Sequence, residues 1–303
     1  YYFKVNFLEK AKIALDLALE QYPNDLSILL LKVDFLNGKQ SFKESLHILL
    51  KLNKFYPNNI DVIFALAKVY SILELINEAI SLFSQVYELI KLDSNQEDLL
   101  KDLAYELMQI QQNLFAIKVL KHILKINPLD ETSMLELGVA FHEAGKFREA
   151  IIYFKKIINE SPYNYLAWFN LATIYNIKEK WKDAIFGYDM CLVINEKFTA
   201  ANYGKANSYI QLKEYQKAIE SFKESFVYDQ PHAYAYCSIG ECYEKIGDYS
   251  KALMFYEKSL EIDDSLPESW LGIGVVRDLN NQPEQAINYI KKALELDTQN
   301  SEY

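Results

Sequence analysis

Apolar and small side chains recur along this chain in fixed columns 34 residues apart. Ala116, Ala150, Ala184, Ala218, Ala252 and Ala286 form one column, and four residues after each stands a large apolar side chain: Leu120, Phe154, Tyr188, Phe222, Tyr256 and Ile290. Upstream, Leu100, Met134, Trp168, Asn202, Tyr236 and Trp270 share a column. Three residues on lie Leu103, Leu137, Leu171, Lys205, Ile239 and Ile273. The next column is small throughout (Ala104, Gly138, Ala172, Ala206, Gly240, Gly274), and three further on run Leu107, Phe141, Tyr175, Tyr209, Tyr243 and Arg277. Spacings of three and four place such residues on one face of a helix. Each period therefore predicts two amphipathic helices joined by a short turn. The small columns let the paired helices approach closely. Gly145 and Gly247 lie in turns where positive φ is needed. Phe147, Trp181, Tyr215 and Tyr249 sit where they can cover the ends of a helix pair. A lone pair cannot bury its apolar face, so the pairs are expected to stack around one continuous core.

The columns resemble the tetratricopeptide pattern, Trp-x2-Leu-Gly-x2-Tyr, then Ala-x3-Phe, then Pro, over about 34 residues. The resemblance covers nearly the whole chain. It implies an all-α fold, a right-handed α-α superhelix (solenoid) of stacked helix-turn-helix repeats. Eight full repeats are read from about residues 26, 60, 97, 131, 165, 199, 233 and 267, in a single array over 1–303. A half repeat over 1–25 precedes them, with Tyr2 and Ala11 in register, and 301–303 reads as the start of a next repeat. Both ends read as cut from a longer array. The step from Ile60 to Glu97 is 37 residues, which puts a three-residue insertion in Lys91 to Gln96. Lys205 and Arg277 break apolar columns; their stems are expected to pack while the charge reaches water. The repeat at Leu26 fits least well, with Ser45 in the Ala column.

The formal net charge of −10 disfavours nucleic acid, which needs a basic surface. An anionic membrane surface is disfavoured for the same reason, and no apolar run is long enough to span a bilayer. Cys191, Cys237 and Cys242 are odd in number and form no CxxC pair, so neither a disulfide framework nor a zinc site is expected. Cys191 falls in a column with Val86, Ile157 and Ala293 and reads as a buried apolar side chain. No GxSxG, HExxH, P-loop or GxGxxG motif is present. No catalytic site, metal or cofactor is therefore expected. Trp168 and Trp270 read as core, and Trp181 as packing. Of the four histidines, only His142 is placed where a ligand could reach it. Neither a cytoplasmic nor a periplasmic location is favoured.

The family resemblance implies that first helices line a concave groove. It implies that the residues after the Trp, Gly and Tyr columns face it, as does the residue two before Trp. Those positions give a peptide-binding surface of Phe64, Lys68, Lys101, Tyr105, His142, Phe169, Thr173, Asn176, Tyr203, Asn207, Tyr234, Glu241, Glu244 and Asp278. Further acids flank it at Asp34, Asp61, Asp98 and Glu268. Aromatic rings supply contact area and amides pair with a peptide backbone. The expected partner is a protein or peptide with basic and aromatic residues. Chaperone-tail receptors of this family hold a terminal carboxylate with a Lys after the Trp column and an Asn after the Gly column. Here Lys101 is followed by Tyr105, and Asn207 is preceded by Tyr203, so that clamp is absent. Three roles stay open: a groove that binds a partner, a spacer or oligomerisation module, and a regulatory segment of a larger enzyme. Tyr1, Tyr2, Phe3 and Phe7 form an apolar start expected to support self-association.

Overall fold

A computed structural model describes residues 8–91 and 94–297. Among the described residues every regular element is helical and there is no strand. The chain divides into two compact units at Lys146/Phe147. The first contains α1 (Leu8–Gln21), α2 (Leu26–Gly38), α3 (Phe42–Phe55), α4 (Ile60–Ile72), α5 (Ile76–Ile90), α6 (Glu97–Gln109), α7 (Asn113–Ile126) and α8 (Glu131–Glu143). The second contains α9 (Phe147–Glu160), α10 (Tyr165–Ile177), α11 (Trp181–Ile194), α12 (Thr199–Gln211), α13 (Tyr215–Ser225), α14 (Ala233–Ile246), α15 (Tyr249–Ile262), α16 (Pro267–Leu279) and α17 (Pro283–Asp297). The expected self-association through Tyr1, Tyr2, Phe3 and Phe7 falls outside the described residues, as does the repeat start at 301–303.

The helices begin where the sequence can satisfy free backbone donors. Asp25, Asn59 and Asn164 accept from the N–H three residues on, at 2.9–3.0 Å. His232 caps α14 through Nδ1, and Pro267 opens α16, where a missing N–H costs nothing. Each first helix ends in one device. The N–H five positions on bonds back to the carbonyl of the Tyr column, as in Gln112 to Leu107 and Lys180 to Tyr175, both at 2.8 Å. The turn needs a residue at positive φ. Gly145 and Gly247 supply it twice, but Gln40, Glu74, Gln111, Glu179, Lys213 and Asn281 take the same conformation at φ 56–61°. The turn is thus imposed by helix packing, since a side chain pays for that conformation and a glycine does not.

Within each unit a first helix packs on its own second helix and on the second helix before it, as α12 does on α13 and α11. Neighbouring first helices also touch, as α10 with α12 and α14 with α16. The periodic columns are the core: Leu103, Leu137, Phe83, Phe154, Ala184, Ala218 and Ile239 are fully buried. Burying a side chain such as Phe154 contributes about 1.5–3 kcal/mol. A short 3-10 turn, Ser94–Gln96, precedes α6, which docks on α5 less extensively than α8 does on α7. Trp168 and Trp270 are only half-buried; their indole N–H groups donate to the carbonyls of Pro162 (2.9 Å) and Asp264 (2.7 Å). They tie a first helix to the loop preceding it.

Two aromatic wedges depend on missing side chains. A Cβ placed on Gly204 would stand 2.4 Å from the Tyr188 ring, and one on Gly272 2.3 Å from the Tyr256 ring. Each tyrosine therefore fills the space that a glycine sixteen residues later leaves empty. The polar departures behave differently from one another. Lys205 does not send its charge to water: its side chain is 13% exposed, and Nζ lies 3.4 Å from Asp189 and 3.2 Å from Glu224. Arg277 donates to Gln282 at 3.1 Å, while its Nε is buried without a partner.

Candidate partner-binding surface

The first-helix columns are described unit by unit. In the first unit, Phe64 packs edge-on against Phe83, and Lys68 lies 5.7 Å from the Phe64 ring. The Lys68 ammonium reaches Glu106 of the next first helix at 3.2 Å. Burial pushes the Asp34 carboxyl up, partly offset by Lys68. Lys101 bridges Glu97 (2.8 Å) and Asp130 (3.1 Å), and Ser133 donates to Asp130 at 2.6 Å. Burial raises the Asp130 carboxyl, but hydrogen bonds from Ser133 and Lys101 outweigh it and hold it below the ordinary value. Tyr105 is 55% exposed, and His142 is half-buried beside Glu143. Both lysines of the surface are thus engaged by acids. Glu106 and Asp130 lie outside the four groove columns, which is why the columns alone missed them.

In the second unit the predicted aromatic centre is largely drawn inward. Phe169 packs edge-on against Phe198 at 5.0 Å and leans on Tyr188. Tyr203 packs at a tilt against His232 at 4.7 Å and against Phe222, with its hydroxyl buried and without a partner. Thr173 donates to the Phe169 carbonyl, a bond internal to α10. Asn176 accepts from Ser208 of the next first helix at 3.0 Å. Asn207 is exposed, and Tyr234 is 59% exposed.

Tyr234, Cys237, Glu241 and Glu244 share one face of α14, since they lie three, four and three residues apart. Glu244 is half-buried; it accepts from the Tyr256 hydroxyl at 2.9 Å and pairs with Lys245 at 3.0 Å. Glu241, Glu268 and Asp278 are exposed, and none of them makes an ion pair among the described residues. Burial pushes the Cys237 thiol up to about 11; Ser269 partly opposes this, and the charges of Glu268, Glu241 and Glu244 add to it. Those three carboxylates therefore act on one spot, beside an exposed tyrosine. Burial also pushes the thiols of Cys191 and Cys242 up to about 12, so all three stay protonated. Among the described residues, no group of three His, Cys, Asp or Glu could hold a metal ion. No helix among them is long and apolar enough to cross a membrane.

Family models for the tetratricopeptide repeat match residues 199–229, 233–266 and 267–300. A model for ChAPs (Chs5p-Arf1p-binding proteins) matches 72–208. No curated protein matches the chain. Among solved structures, MamA is 26% identical with a TM-score of 0.52, covering 55% of this chain and 98% of its own. A tetratricopeptide repeat protein from Parabacteroides merdae is 13% identical with a TM-score of 0.58, covering 88% of this chain and 97% of its own. YrrB, a TPR protein described with an unusual peptide-binding site, is 16% identical with a TM-score of 0.53, covering 59% of this chain and 92% of its own. The last two likenesses show the fold alone. Tetratricopeptide proteins are generally non-enzymatic, and the repeats support a protein-interaction scaffold in general. The 34-residue columns, the helix pairs they build and the matched repeat models together identify this chain as a member of the tetratricopeptide-repeat family.

Proposed function

We propose that the chain is a binding module, not an enzyme, and that its first-helix surface holds a segment of a partner protein carrying basic and aromatic residues. The observation that carries this reading is the group of carboxylates acting on Cys237 next to exposed Tyr234 in the second unit. No lysine stands in the groove columns of that unit to offset Glu241, Glu268 and Asp278. Grouped acids raise the local concentration of cationic partners and speed their capture. In the first unit Lys68 and Lys101 are engaged by Glu106, Glu97 and Asp130, so they contribute little free positive charge. The match over 72–208 to a family described by its protein binding supports a protein partner.

The test is peptide capture followed by stopped-flow kinetics, with peptides that carry Lys or Arg near both ends and an aromatic residue between. Tyr234→Ala should mainly speed dissociation, by about 1–3 kcal/mol in affinity. Glu241→Lys with Glu268→Lys should slow association and flatten its dependence on salt. Glu244 is left alone because it holds the Tyr256 hydroxyl, and Tyr203 because its ring is part of the packing. Preferential capture of acidic peptides, or unchanged kinetics in both variants, would sink the reading.

A further inference from the structure

Two first helices carry a lysine where the other repeats carry an apolar side chain. Lys32 of α2 and Lys205 of α12 stand in the column of Leu66, Leu103, Leu137, Leu171, Ile239 and Ile273. Leu103 and Leu137 are fully buried there. A lysine does not fill the same place, and a cavity opens beside each. The one at Lys205 measures about 280 Å³ and the one at Lys32 about 690 Å³. The same columns line both: Leu19 corresponds to Leu192, Leu29 to Asn202 and Phe55 to Tyr228. The larger cavity lies wholly within the first unit, where the C-terminal parts of α1 and α3 meet α2.

The two cavities differ in the sign of their charge. Lys205 is held by Asp189 at 3.4 Å and by Glu224 at 3.2 Å, which leaves one negative charge in excess. The matching positions in the first unit are Asp16, Lys32 and Lys51, each 173 residues earlier, which is five periods of 34 and the three-residue insertion. A lysine has replaced the second carboxylate, so the excess is one positive charge. Asp16 lies 4.0 Å from Lys32, at the limit of an ion pair, and the Lys32 side chain stays 35% exposed. Lys51 is exposed and makes no ion pair among the described residues. Both ammonium groups are therefore open to a ligand from solvent. No carboxylate lines this cavity, in a chain whose net charge is −10.

Most of the remaining wall is apolar. Leu19, Leu29, Ile48 and Leu52 line it, and Phe55 adds a ring that is 76% exposed. An apolar occupant would take that surface out of water. The volume is of the size that holds a small molecule. Asn24 and Tyr56 supply the uncharged polar side chains. Two such groups are too few for the amides of a peptide, whereas a hydrocarbon chain needs none. A cation would meet two ammonium groups, and an inorganic anion would leave the apolar wall uncovered.

We propose that this cavity binds a free carboxylate carried on an aliphatic chain, such as a medium-chain fatty acid. The carboxylate accepts from Lys32 and Lys51, and the chain lies on Leu19, Leu29, Ile48 and Leu52. The site is separate from the surface of the proposed function. It is built from core columns of α2 and from the second helices α1 and α3, not from the groove columns.

The experiment is a heteronuclear NMR titration of the full chain with octanoate, compared with octylammonium, octan-1-ol and acetate. Octanoate is expected to give saturable shifts confined to α1, α2 and α3, with α11 to α13 unmoved. Octan-1-ol has the chain without the charge, and acetate the charge without the chain. Each should bind about tenfold more weakly or worse. Lys32→Leu restores the column and fills the cavity, so it should keep the fold and abolish saturable binding. Lys51→Glu, at an exposed position, gives the charge that Glu224 has in the other cavity and should weaken octanoate about tenfold or more. A tetrapeptide ending in leucine, with its carboxylate free, tests a protein terminus as the source. The proposal is overturned if octanoate does not saturate, if octylammonium, octan-1-ol or acetate binds equally well, if the peptide binds more tightly than octanoate, or if either variant retains wild-type affinity.

Discussion

The two units use one 34-residue pattern but join their neighbouring first helices by different chemistry. In the first unit the links are ionic: Lys68 to Glu106 from α4 to α6, and Lys101 to Asp130 at the start of α8. In the second the link between first helices is neutral, and tyrosines of the second helices wedge against the first helices that follow them, although Lys205 also pairs with Asp189 and Glu224. Tyr188 fills the space above Gly204, Tyr256 that above Gly272, and Ser208 bonds to Asn176. The column of Gly204 and Gly272 holds Asp102 and Glu136 in the first unit. A position that must be empty beneath a tyrosine can be charged where Leu120 stands sixteen residues before it. The repeat specifies where helices meet, and the local side chains decide how the meeting is stabilised. It follows that the first unit should respond to salt and pH, and the second to changes of volume.

Where the units use the same core column, they should fail alike. Phe83→Ala in the first and Phe154→Ala in the second should each cost about 3–5 kcal/mol, read by chemical denaturation, because both rings are fully buried. A cost under about 1 kcal/mol in either would break the assignment of that column to the core. The glycine wedge should separate positions within the second unit. Gly204→Ala and Gly272→Ala should cost about 1–3 kcal/mol through overpacking, whereas Ser238→Ala in the same column should stay within about 0.5 kcal/mol. Equal small effects at all three would show that the tyrosines can move aside.

Smaller effects should mark the ionic unit. Lys68→Met should cost about 0.2–1 kcal/mol at low salt, with the difference from wild type closing as salt rises. A salt-independent cost would mean that the stem, not the charge, matters. Glu136 sharpens the same point. Burial, and then the Asp130 charge, push its carboxyl up, with Lys101 partly opposing. A carboxyl raised in the folded state contributes stability below its unfolded pKa and loses it as pH rises through the folded value. Glu136→Gln should therefore be more stable than wild type at neutral pH, and the gap should narrow as pH falls into the ordinary carboxylate range. Paired thermal melts across that range read the effect, and a gap that widens toward acid would refute the sign.

The sequence by itself determined the all-α class and the helix pairing, because side chains recurring at spacings of three and four leave a chain no other way to bury them. It also determined the core columns, including Leu103, Phe154 and Ala218. It carried the rule that a tyrosine in the Phe column is followed sixteen residues on by glycine, at Gly204 and Gly272, but only the packed rings reveal why. The candidate surface was legible as a set of columns, and its acids and exposed Tyr234 follow from them. The engagement of individual residues was not. Tyr203 turned onto His232, and Lys205 found two carboxylates. Lys68 and Lys101 were taken up by Glu106 and Asp130. Each of these outcomes joins residues on different helices, whose distances a one-dimensional period leaves open. Tertiary structure alone decided them, since ion pairs and ring contacts depend on separations of a few ångströms between helices, while periodicity fixes only the face from which a side chain leaves its own.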